Sequence, residues 1–150
     1  MNVGTICQRL VVHASRSDDV VRAAQLMRSK HVGYLVVIEP EKGGAVRPVG
    51  VLTDRDIVVT VVAAEVDPHT LRVGDVMTAD PVTVGETDGV EEALQKMRQF
   101  GVRRLPVVNQ CGQLVGVVAA DDALKVIAGD ALDVATTVRS EYQLEARKRP

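Results

Sequence analysis

Apolar side chains recur with the period of a helix in two separate stretches of the chain. Residues 20–27 and 90–97 each place apolar residues at positions i, i+3, i+4 and i+7, which is the spacing of a helix that buries one face. Ser17 and Thr87 precede these stretches, and their hydroxyl side chains favour helix N-caps. The pattern therefore predicts two amphipathic helices that begin shortly after these residues.

Each predicted helix is followed by strands and then by a second helix. Short apolar runs rich in β-branched residues, at 34–38 and 105–108, have the length and composition of buried strands. A turn follows each run, then another strand, then a helix that begins near Asp54 or Asp121. The remaining strands are predicted at 11–12, 82–84, 46–53 and 113–119. The order in each half of the chain is therefore βαββα.

The two halves of the chain repeat one another. At an offset of 70 residues, nine of the 22 positions from 17 to 38 are identical. Farther along, the Val-Gly-Val sequences at 49–51 and 115–117 match at an offset of 66. The first copy therefore carries four extra residues. We place them in the stretch 39–44, because loops absorb insertions at little cost.

Neither copy is large enough to bury its apolar faces well, since roughly 60 residues leave much of the surface exposed. We therefore predict an α+β fold in which two βαββα units pack as a pseudo-two-fold pair, each with a small mixed sheet and helices on one side. The first unit spans 1–66, a linker 67–73, the second unit 74–129, and a C-terminal helix or tail 130–150. From residue 120 to about 147, the pattern leaves open one long helix or a helix followed by a loose tail.

Composition narrows the range of partners and compartments. The chain has one Phe, two Tyr and no Trp, whereas proteins that bind single-stranded nucleic acids use aromatic stacking platforms. The net charge of −2 gives no field that would gather a polyanion. There is no signal-peptide pattern, no apolar run long enough to cross a bilayer, and no disulfide framework in the two cysteines. We expect a cytoplasmic protein with no nucleic-acid partner and no membrane span.

The most informative string is Gly-Val-Leu-Thr-Asp-Arg-Asp at 50–56, where a strand runs into a helix. Read as structure alone, Thr53 and Asp56 have the spacing of a capping box, with Asp in place of Glu or Gln. Read as a binding site, the free N–H groups of the helix start suit phosphate, and the Thr53 hydroxyl can add a hydrogen bond. Asp56 can then accept hydrogen bonds from two ribose hydroxyls, and Val51 can lie against a base. Both interpretations fit the string by itself.

The second copy has Gly-Val-Val-Ala-Ala-Asp-Asp at 116–122. Ala119 replaces the threonine, so the capping box is lost, yet Asp122 keeps the acid that corresponds to Asp56. Ribose binding would retain this acid, and its favourable position at the helix dipole explains it as well.

These features together resemble a tandem pair of CBS domains, the regulatory module named after cystathionine β-synthase, in a stand-alone protein. The resemblance covers about residues 3–129. It is carried by the duplicated helix–strand pattern, the Gly-Val-Arg-Arg-Leu-Pro-Val-Val run at 101–108, the Asp-Val-Met sequence at 75–77 and the string at 50–56. It implies two CBS repeats that bind an adenosyl ligand such as AMP, ADP or ATP in the cleft between them. AMP is the expected regulatory ligand, and no catalytic cofactor is implied.

The resemblance also implies roles for individual residues. In the first half of the cleft, Asp56 would hold the ribose, Thr53 would contact phosphate and Val51 would lie against the adenine.

The other copy would complete this site with Pro81 and Val82 from its first strand. Arg103 and Arg104 are candidates for contacts to the phosphates, or are solvated groups at the start of a strand. The expected ligand-binding residues are Val51, Thr53, Arg55, Asp56, Pro81, Val82, Arg103, Arg104 and Asp122.

The second half of the cleft departs from this pattern. Ala119 supplies no hydroxyl, and Asp121 stands where the first copy has Arg55. A carboxylate beside a phosphate is repulsive in a partly dry cleft. We therefore expect the Asp56 half-site to bind more tightly. The Asp122 half-site would be weak, empty or suited to an uncharged adenosyl group.

The leading hypothesis is a non-catalytic regulatory module that changes conformation on binding an adenosine nucleotide and is recognised by an unidentified protein partner. Two chains would pair as a homodimer through the exposed apolar faces of the second helices, which include Ile57, Val58, Val61 and Val62. The alternative is a ligand-free module for dimerisation or protein interaction.

We expect no enzyme, because no set of nucleophile, base and oxyanion donors can be assembled by spacing. The three histidines lack partners at metal-ligand spacing, so no metal site is expected. Nucleotide hydrolysis would need a metal-binding acid cluster, for which Asp54 and Asp121 are the candidates.

Overall fold

Two hydrophobic cores, one for each repeat, organise the fold. The computed structural model describes residues 1–148, apart from the side chain of Tyr142. Arg149 and Pro150, the end of the expected C-terminal segment, lie outside the described residues. Leu35 is fully buried in the first core, and Leu105 holds the equivalent position in the second.

The first repeat has the predicted βαββα order, but a short helix that was not predicted precedes it, and the first strand lies at His13–Ser15 and not at 11–12. It contains helix α1 (Val3–Ile6), strand β1 (His13–Ser15), helix α2 (Val20–Lys30), strand β2 (Tyr34–Pro40), a 3-10 turn (Lys42–Gly44), strand β3 (Val46–Thr53), helix α3 (Asp54–Ile57) and a π-helical turn (Val58–Val62). The 3-10 turn lies within the four-residue insertion that distinguishes this repeat.

The second repeat has the same order and a longer last helix. A 3-10 turn (Pro68–Thr70) leads to helix α4 (Val73–Val76), strand β4 (Thr78–Ala79), strand β5 (Val84–Gly85), helix α5 (Val90–Phe100), strand β6 (Arg104–Val108), strand β7 (Leu114–Ala119) and helix α6 (Ala120–Lys148). Of the two possibilities for the C-terminal segment, the single long helix is therefore present to residue 148.

The two sheets are small and mixed, which confirms the predicted α+β class. In the first sheet β1 runs parallel to β2, and β2 and β4 both pair antiparallel with β3. In the second sheet β5 runs parallel to β6, and β6 pairs antiparallel with β7. Val and Leu dominate the paired strands, because β-branched and aliphatic side chains fit a half-buried pleated surface.

The predicted caps of the first helices are wrong. The cap of α2 is Asp19, whose Oδ1 accepts a hydrogen bond from the N–H of Val21 at 2.7 Å. Gly89 holds the same position before α5 and supplies no side-chain cap. Both helices begin three residues beyond Ser17 and Thr87, so the two hydroxyls lie outside the first turn.

Each repeat receives a segment that comes from elsewhere along the chain, and we name these two stretches, residues 1–10 and 71–80, the crossing segments. In the first, Val3 is fully buried in the second core, and its N–H donates to the carbonyl of Asp88 at 2.8 Å. Gln8 exchanges two backbone hydrogen bonds, of 2.8 and 2.9 Å, with Val117 in β7. The start of the chain thus packs on the second repeat.

The second crossing segment makes the equivalent contacts with the first repeat. Val73 is buried in the first core, and its N–H donates to the carbonyl of Asp18 at 2.8 Å. Strand β4 then pairs with β3, with Thr78 opposite Val51. The contacting residues of the two crossing segments are related by the same offsets, 70 and 66, as the sequence repeat. The exchange of segments therefore follows the pseudo-two-fold axis.

Two glycines allow the crossing segments to approach the strands. A Cβ on Gly116 would lie 2.8 Å from both the Sγ of Cys7 and the carbonyl oxygen of Gln8. A Cβ on Gly50 would lie 2.5 Å from the Sδ of Met77. The first clash includes rigid backbone, whereas the worst contact of the second is with a flexible thioether.

At the opposite end of the strands, a polar cluster connects the insertion of the first repeat to the second repeat. Arg47 donates to the Oε1 of Glu41 at 2.6 Å and to the carbonyl oxygen of Cys111 at 3.2 Å. Gln113 donates to the Oε2 of Glu41 at 3.3 Å. The hydrogen bonds from Arg47 and then Gln113 lower the pKa of Glu41 below its ordinary value. We name these four residues the clasp.

The second helices carry apolar side chains on their outer surface. Val58 and Val62 are 55% and 65% exposed, and Leu124 and Ile127 on α6 are 63% and 53% exposed. The expectation that Val61 and Ile57 are exposed is wrong, because Val61 packs in the first core and Ile57 is half-buried against it. None of the helices within residues 1–148 combines the length and apolar character that a bilayer crossing requires.

We predict that Gly116→Ala destabilises the protein by about 1–3 kcal/mol, because the new methyl group meets the backbone of the first crossing segment. Gly50→Ala should cost less, since the Met77 side chain can move away. Urea denaturation measures both free energies of unfolding. The control is Gly129→Ala, within α6, whose Cβ meets nothing within 4 Å. It should be neutral or stabilising by about 0.5–1 kcal/mol. Equal effects of all three substitutions would contradict the close approach.

Candidate ligand site between the repeats

The predicted acids both lie at the point where a strand passes into a helix. At the β3–α3 junction, the Oγ1 of Thr53 accepts from the N–H of Asp56 at 3.1 Å. The Oδ2 of Asp56 accepts from the N–H of Thr53 at 2.9 Å. The string at 50–56 therefore forms the capping box that the structural interpretation expects. The Oδ1 of Asp56 has no hydrogen bond to the described residues, so this oxygen remains able to accept one.

The second junction keeps half of this arrangement. The Oδ2 of Asp122 accepts from the N–H of Ala119 at 2.9 Å, which reproduces the Asp56 bond without the threonine. The Oδ1 of Asp122 lies 3.4 Å from the Nε2 of Gln8 and 3.7 Å from the Nζ of Lys125. Asp122 is only 8% exposed and is the one charged residue in the buried class among the described residues. The buried Asp122 carboxylate therefore fixes the β7–α6 junction through the N–H of Ala119, and it also lines the space between the repeats.

A cavity of about 260 Å³ opens at this second junction. Both repeats line it, which makes it a site that exists only in the paired arrangement. Gln8 and Leu10 of the first crossing segment and residues 11–12 just beyond it line the cavity. The α2–β2 turn contributes residues 31–34, and Arg104 lies at the start of β6. The second repeat supplies Val117, Ala119, Asp121, Asp122 and Lys125 from the β7–α6 junction.

The pseudo-two-fold axis relates this cavity to the residues that the sequence predicts for the first half-site. The repeat offsets convert the residues that line the cavity into the predicted set. The offset of 70 is added to the numbers of Val11, Val12, Gly33 and Tyr34, and the offset of 66 is subtracted from the numbers of Val117, Ala119, Asp121 and Asp122. That set is Pro81, Val82, Arg103, Arg104, Val51, Thr53, Arg55 and Asp56. The sequence-derived list for the first half-site therefore corresponds position by position to the lining of a cavity in the second.

The structure also shows how the predicted residues are placed individually. Thr53 and Asp56 contact each other, and Val51 lies opposite the crossing strand β4. Arg55 is exposed, as are Arg103 and Arg104.

Pro81 and Val82 follow directly after β4 and are half-buried. The N–H of Asp80 donates to the carbonyl of Val49 at 3.2 Å, which keeps this part of the crossing segment against β3. Val82 also packs against the second core. Of the predicted residues, Arg104 and Asp122 are the two that line the cavity itself.

Tyr34 is a cavity residue that is absent from the predicted set. Its ring lines the cavity, and the Cζ of Arg104 lies 5.8 Å from the ring centroid, a distance at which a guanidinium is attracted to an aromatic face. Burial raises the pKa of the Tyr34 phenol above its ordinary value, with a smaller opposing effect from Arg104, so the hydroxyl keeps its proton. The signal in the sequence is the offset of 70, which pairs Tyr34 with Arg104, one of the predicted ligand residues.

The two half-sites differ in charge. In the second half-site Asp121, Asp122, Lys125 and Arg104 all line the cavity, so the formal charges of these four residues cancel. In the first half-site, Arg55 and a valine stand at the positions equivalent to Asp121 and Lys125. Arg103 stands at the position where the second half-site has a glycine. The first half-site is therefore the more favourable of the two for an anion.

Asp54 and Asp121 are the acids that the sequence offers as metal ligands, and they lie at the starts of different helices. Within residues 1–148, His, Cys, Asp and Glu nowhere form a group of three or more that could hold a metal. Asp54 accepts a hydrogen bond from the N–H of Arg55 at 2.8 Å, and Asp121 lies at the start of the other helix. Asp121 lines the cavity, whereas Ala120, the residue equivalent to Asp54, does not.

Comparison with known sequences identifies a common domain. The profile of the family described as CBS domain matches residues 3–63 and 73–129. Hypoxic response protein 1 of Mycobacterium tuberculosis is 34% identical over 122 residues, which cover 81% of this chain and 78% of that protein. An uncharacterized protein of Methanopyrus kandleri is 33% identical over 126 residues, or 84% of this chain, and the chain spans 62% of its length. The chain spans 22% of the inosine-5'-monophosphate dehydrogenase of Korarchaeum cryptofilum, with 36% identity over 114 residues.

Solved structures share the same arrangement. A CBS domain protein from Pyrobaculum aerophilum, complexed with AMP, is 30% identical with a TM-score of 0.72, over 81% of this chain and 89% of that one. A hexameric CBS-CP12 protein from bloom-forming cyanobacteria is 33% identical with a TM-score of 0.70, over 83% of this chain and 69% of that one.

We predict that Asp122→Ala destabilises the protein by about 1–2 kcal/mol, because the N–H of Ala119 loses its acceptor and the helix start loses an acid. Asp122→Asn should cost less, since an amide oxygen can still accept that hydrogen bond. The free energy of unfolding in urea reports both values. Asp121→Asn, one residue away and exposed, should change it by no more than about 0.5 kcal/mol. If Asp122→Ala proves as mild as Asp121→Asn, the buried carboxylate does not hold the junction.

Proposed function

The chain belongs to the CBS-domain family, and we propose that it is a non-catalytic regulatory module that binds an adenosine nucleotide between its two repeats. Binding changes the conformation of the pair, and a protein partner detects that change. AMP is the ligand that we propose first.

The observation that carries this proposal is the cavity that both repeats line, with the buried Asp122 at its edge. Ligand sites are concave and combine apolar walls with a few directed polar groups. Here Val11 and Val12, which follow the first crossing segment, and Val117 of β7 form apolar walls, and carboxylates, a lysine and the Gln8 amide supply the polar groups. The AMP bound by the Pyrobaculum relative shows that a CBS domain protein of similar fold accepts an adenosine nucleotide.

We assign the tighter nucleotide site to the first half of the cleft. The free Oδ1 of Asp56 accepts a ribose hydroxyl while Oδ2 continues to cap the helix. The Thr53 hydroxyl accepts from the backbone but still has its own proton to donate to a phosphate oxygen. Arg55 and Arg103 supply positive charge at positions where the second half has an aspartate and a glycine, and Arg104 adds a guanidinium at the boundary between the halves. Guanidinium groups bind phosphate in a bidentate geometry.

The signal would pass through the angle between the repeats. The half-sites lie at one end of the strands and the clasp lies at the other, about 20 Å away for a strand of seven residues. A ligand that contacts both repeats favours the closed arrangement only if it binds that arrangement more tightly. Contacts from Pro81 and Val82 on one repeat and from Asp56 on the other satisfy this condition.

We also propose that two chains form a homodimer through the exposed valines of the π-helical turn and the start of α6. Val58, Val62, Leu124 and Ile127 are all more than half exposed, and exposed apolar side chains on both second helices offer a second copy of the chain apolar surface to bury. Self-association also occurs among relatives, since the cyanobacterial CBS-CP12 protein is hexameric.

A second candidate, a ligand-free interaction module, is favoured by one observation. The Thr53 and Asp56 side chains already satisfy each other in a complete capping box, so the string at 50–56 has a structural role without any ligand.

For the nucleotide site, we predict that AMP at about 100 times its dissociation constant stabilises the protein by about 2.7 kcal/mol. That corresponds to a rise of roughly 5–10 °C in the melting temperature. Asp56→Asn should weaken AMP binding by at least about 10-fold, because the amide has one uncharged acceptor oxygen, which cannot both cap the Thr53 N–H and accept from the ribose. Thermal shift with AMP, ADP and ATP, followed by titration calorimetry, measures both effects.

The matched control for this experiment is Asp54→Asn, which removes the same charge from the same helical turn. Its counterpart in the second repeat, Ala120, does not line the cavity, so AMP affinity should change by less than about 2-fold. Absence of any shift with all three nucleotides would favour the ligand-free module. Equal losses in the two variants would show only a general effect of charge.

For the dimer, we predict a mass of twice 16.1 kDa by light scattering at micromolar concentration. Val62→Asp places a charge in the apolar contact and should weaken dimerisation by at least about 10-fold, since an unpaired buried charge is strongly unfavourable. Val66→Asp, beyond the turn and 40% exposed, is the control for the added charge. A wild-type protein that remains monomeric would exclude the dimer.

A further inference from the structure

Helix α6 extends well beyond the repeat to which it belongs. From Ile127 to Lys148, every side chain that the structure describes is exposed, and none belongs to either hydrophobic core. We name residues 127–148 the projecting helix, which is about 33 Å long at 1.5 Å per residue. Helices in proteins owe most of their stability to the packing of an apolar face, and isolated helices are marginal in water.

The composition of the projecting helix does not favour a helix that stands alone. Gly129 lies within it, and β-branched residues occupy positions 134 and 136–138. These residues have a lower intrinsic helix propensity than Ala or Leu. A partner that covers one side of the helix would supply the stabilisation that local propensity lacks.

Apolar side chains form one row along α6, which we name the seam. Its members follow one another at intervals of 3, 4, 3 and 4 residues, the spacing at which one helix packs along another in a coiled coil. They are Leu124, Ile127, Ala131, Val134 and Val138, and all five are exposed. Leu124 and Ile127 already belong to the surface proposed for the homodimer, so the seam continues that surface.

The charges of the projecting helix indicate how a second copy would lie. Residues 127–137 contain two aspartates and no basic residue, whereas residues 138–148 contain two arginines, one lysine and two glutamates. A parallel pair would bring the acidic halves of both helices together, which is unfavourable. An antiparallel pair instead places each acidic half beside the half that has a net positive charge.

We propose that α6 pairs antiparallel with α6 of a second copy of the chain along the seam, an inference that rests on the proposed homodimer. In the register that aligns the two seams, Ile127 of one chain lies opposite Val138 of the other, and Ala131 lies opposite Val134. A lipid surface suits this helix less well. Helices that bind membranes carry Lys and Arg beside their apolar face, whereas Asp130 flanks the seam here.

The test compares two matched substitutions in the full chain. Val134→Glu places a charge in the seam and should weaken dimerisation by at least about 10-fold in sedimentation equilibrium, since an unpaired buried charge is strongly unfavourable. The control is Leu132→Glu, because Leu132 and Val134 are 65% and 66% exposed. Leu132 lies roughly 130° around the helix from the seam, so the dissociation constant should change by less than about 2-fold.

Helix content provides a second readout by circular dichroism. Glu has a higher helix propensity than Val, so Val134→Glu would preserve or increase the helical signal of a helix that stands alone. In the paired helix it should lower that signal, because the projecting helix loses its partner. A helical signal that rises with anionic phospholipid vesicles and not with protein concentration would identify a lipid surface as the partner and overturn the pairing.

Cysteine cross-linking tests the direction of the pair. In a background in which Cys7 and Cys111 are replaced by alanine, chains with Ala131→Cys are mixed with chains with Val134→Cys and oxidised. The antiparallel register predicts disulfides between the two kinds of chain and not within either kind, since a disulfide requires Cα atoms within about 7 Å. A disulfide-linked dimer of Ala131→Cys alone would overturn the antiparallel direction, and no cross-link in any sample would overturn the pairing.

The outcomes separate this inference from the proposed homodimer. A wild-type protein that remains monomeric overturns both. If the wild-type protein dimerises and Val62→Asp weakens the dimer while Val134→Glu does not, the homodimer stands and the pairing of α6 is wrong. Equal weakening by Val134→Glu and Leu132→Glu would show a general effect of charge and would also overturn the seam.

Discussion

Backbone pairing between each crossing segment and a strand of the opposite repeat is the interaction on which the rest of the structure depends. The hydrogen bonds between Gln8 and Val117, and the pairing of β4 with β3, bring the two helix starts to face a common space. The buried valines of α1 and α4 fill cores that neither repeat completes alone. Stability and the geometry of the site therefore have the same origin.

Most of the fold could be predicted from the sequence because the repeat provides two independent readings of each element. Strand β3 lies at 46–53 as predicted, and both first helices lie within the predicted periodic stretches extended by one turn. The exchange of crossing segments could not be seen, because hydrophobic pattern indicates that Val3 and Val73 are buried but not against which core. The caps were misplaced for a similar reason, since Ser17 and Asp19 are both acceptable caps by residue type.

The candidate site was predictable at its helix starts and not in the space between them. Asp56, Thr53 and Asp122 belong to a short string whose spacing constrains their geometry. Tyr34, Gln8 and Lys125 reach the cavity from three separate parts of the chain, so only the tertiary structure brings them together. The difference between the half-sites could be predicted from Asp121 and Ala119. The structure adds that Tyr34, at the second half-site, has a buried hydroxyl without a hydrogen-bond partner among the described residues.

The clasp makes the two ends of the molecule respond differently to solvent. Its contacts are between charged and polar groups near the surface, with the Arg47 side chain about half exposed, whereas the crossing segments are held by backbone pairing and buried valines. Dissolved ions screen exposed charges over about 10 Å at 0.1 M but hardly affect buried apolar contacts. Added salt would therefore weaken the contacts of the clasp while leaving the contacts of the crossing segments intact. The stiffness of the repeat pair then depends on ionic strength even where its free energy of unfolding does not.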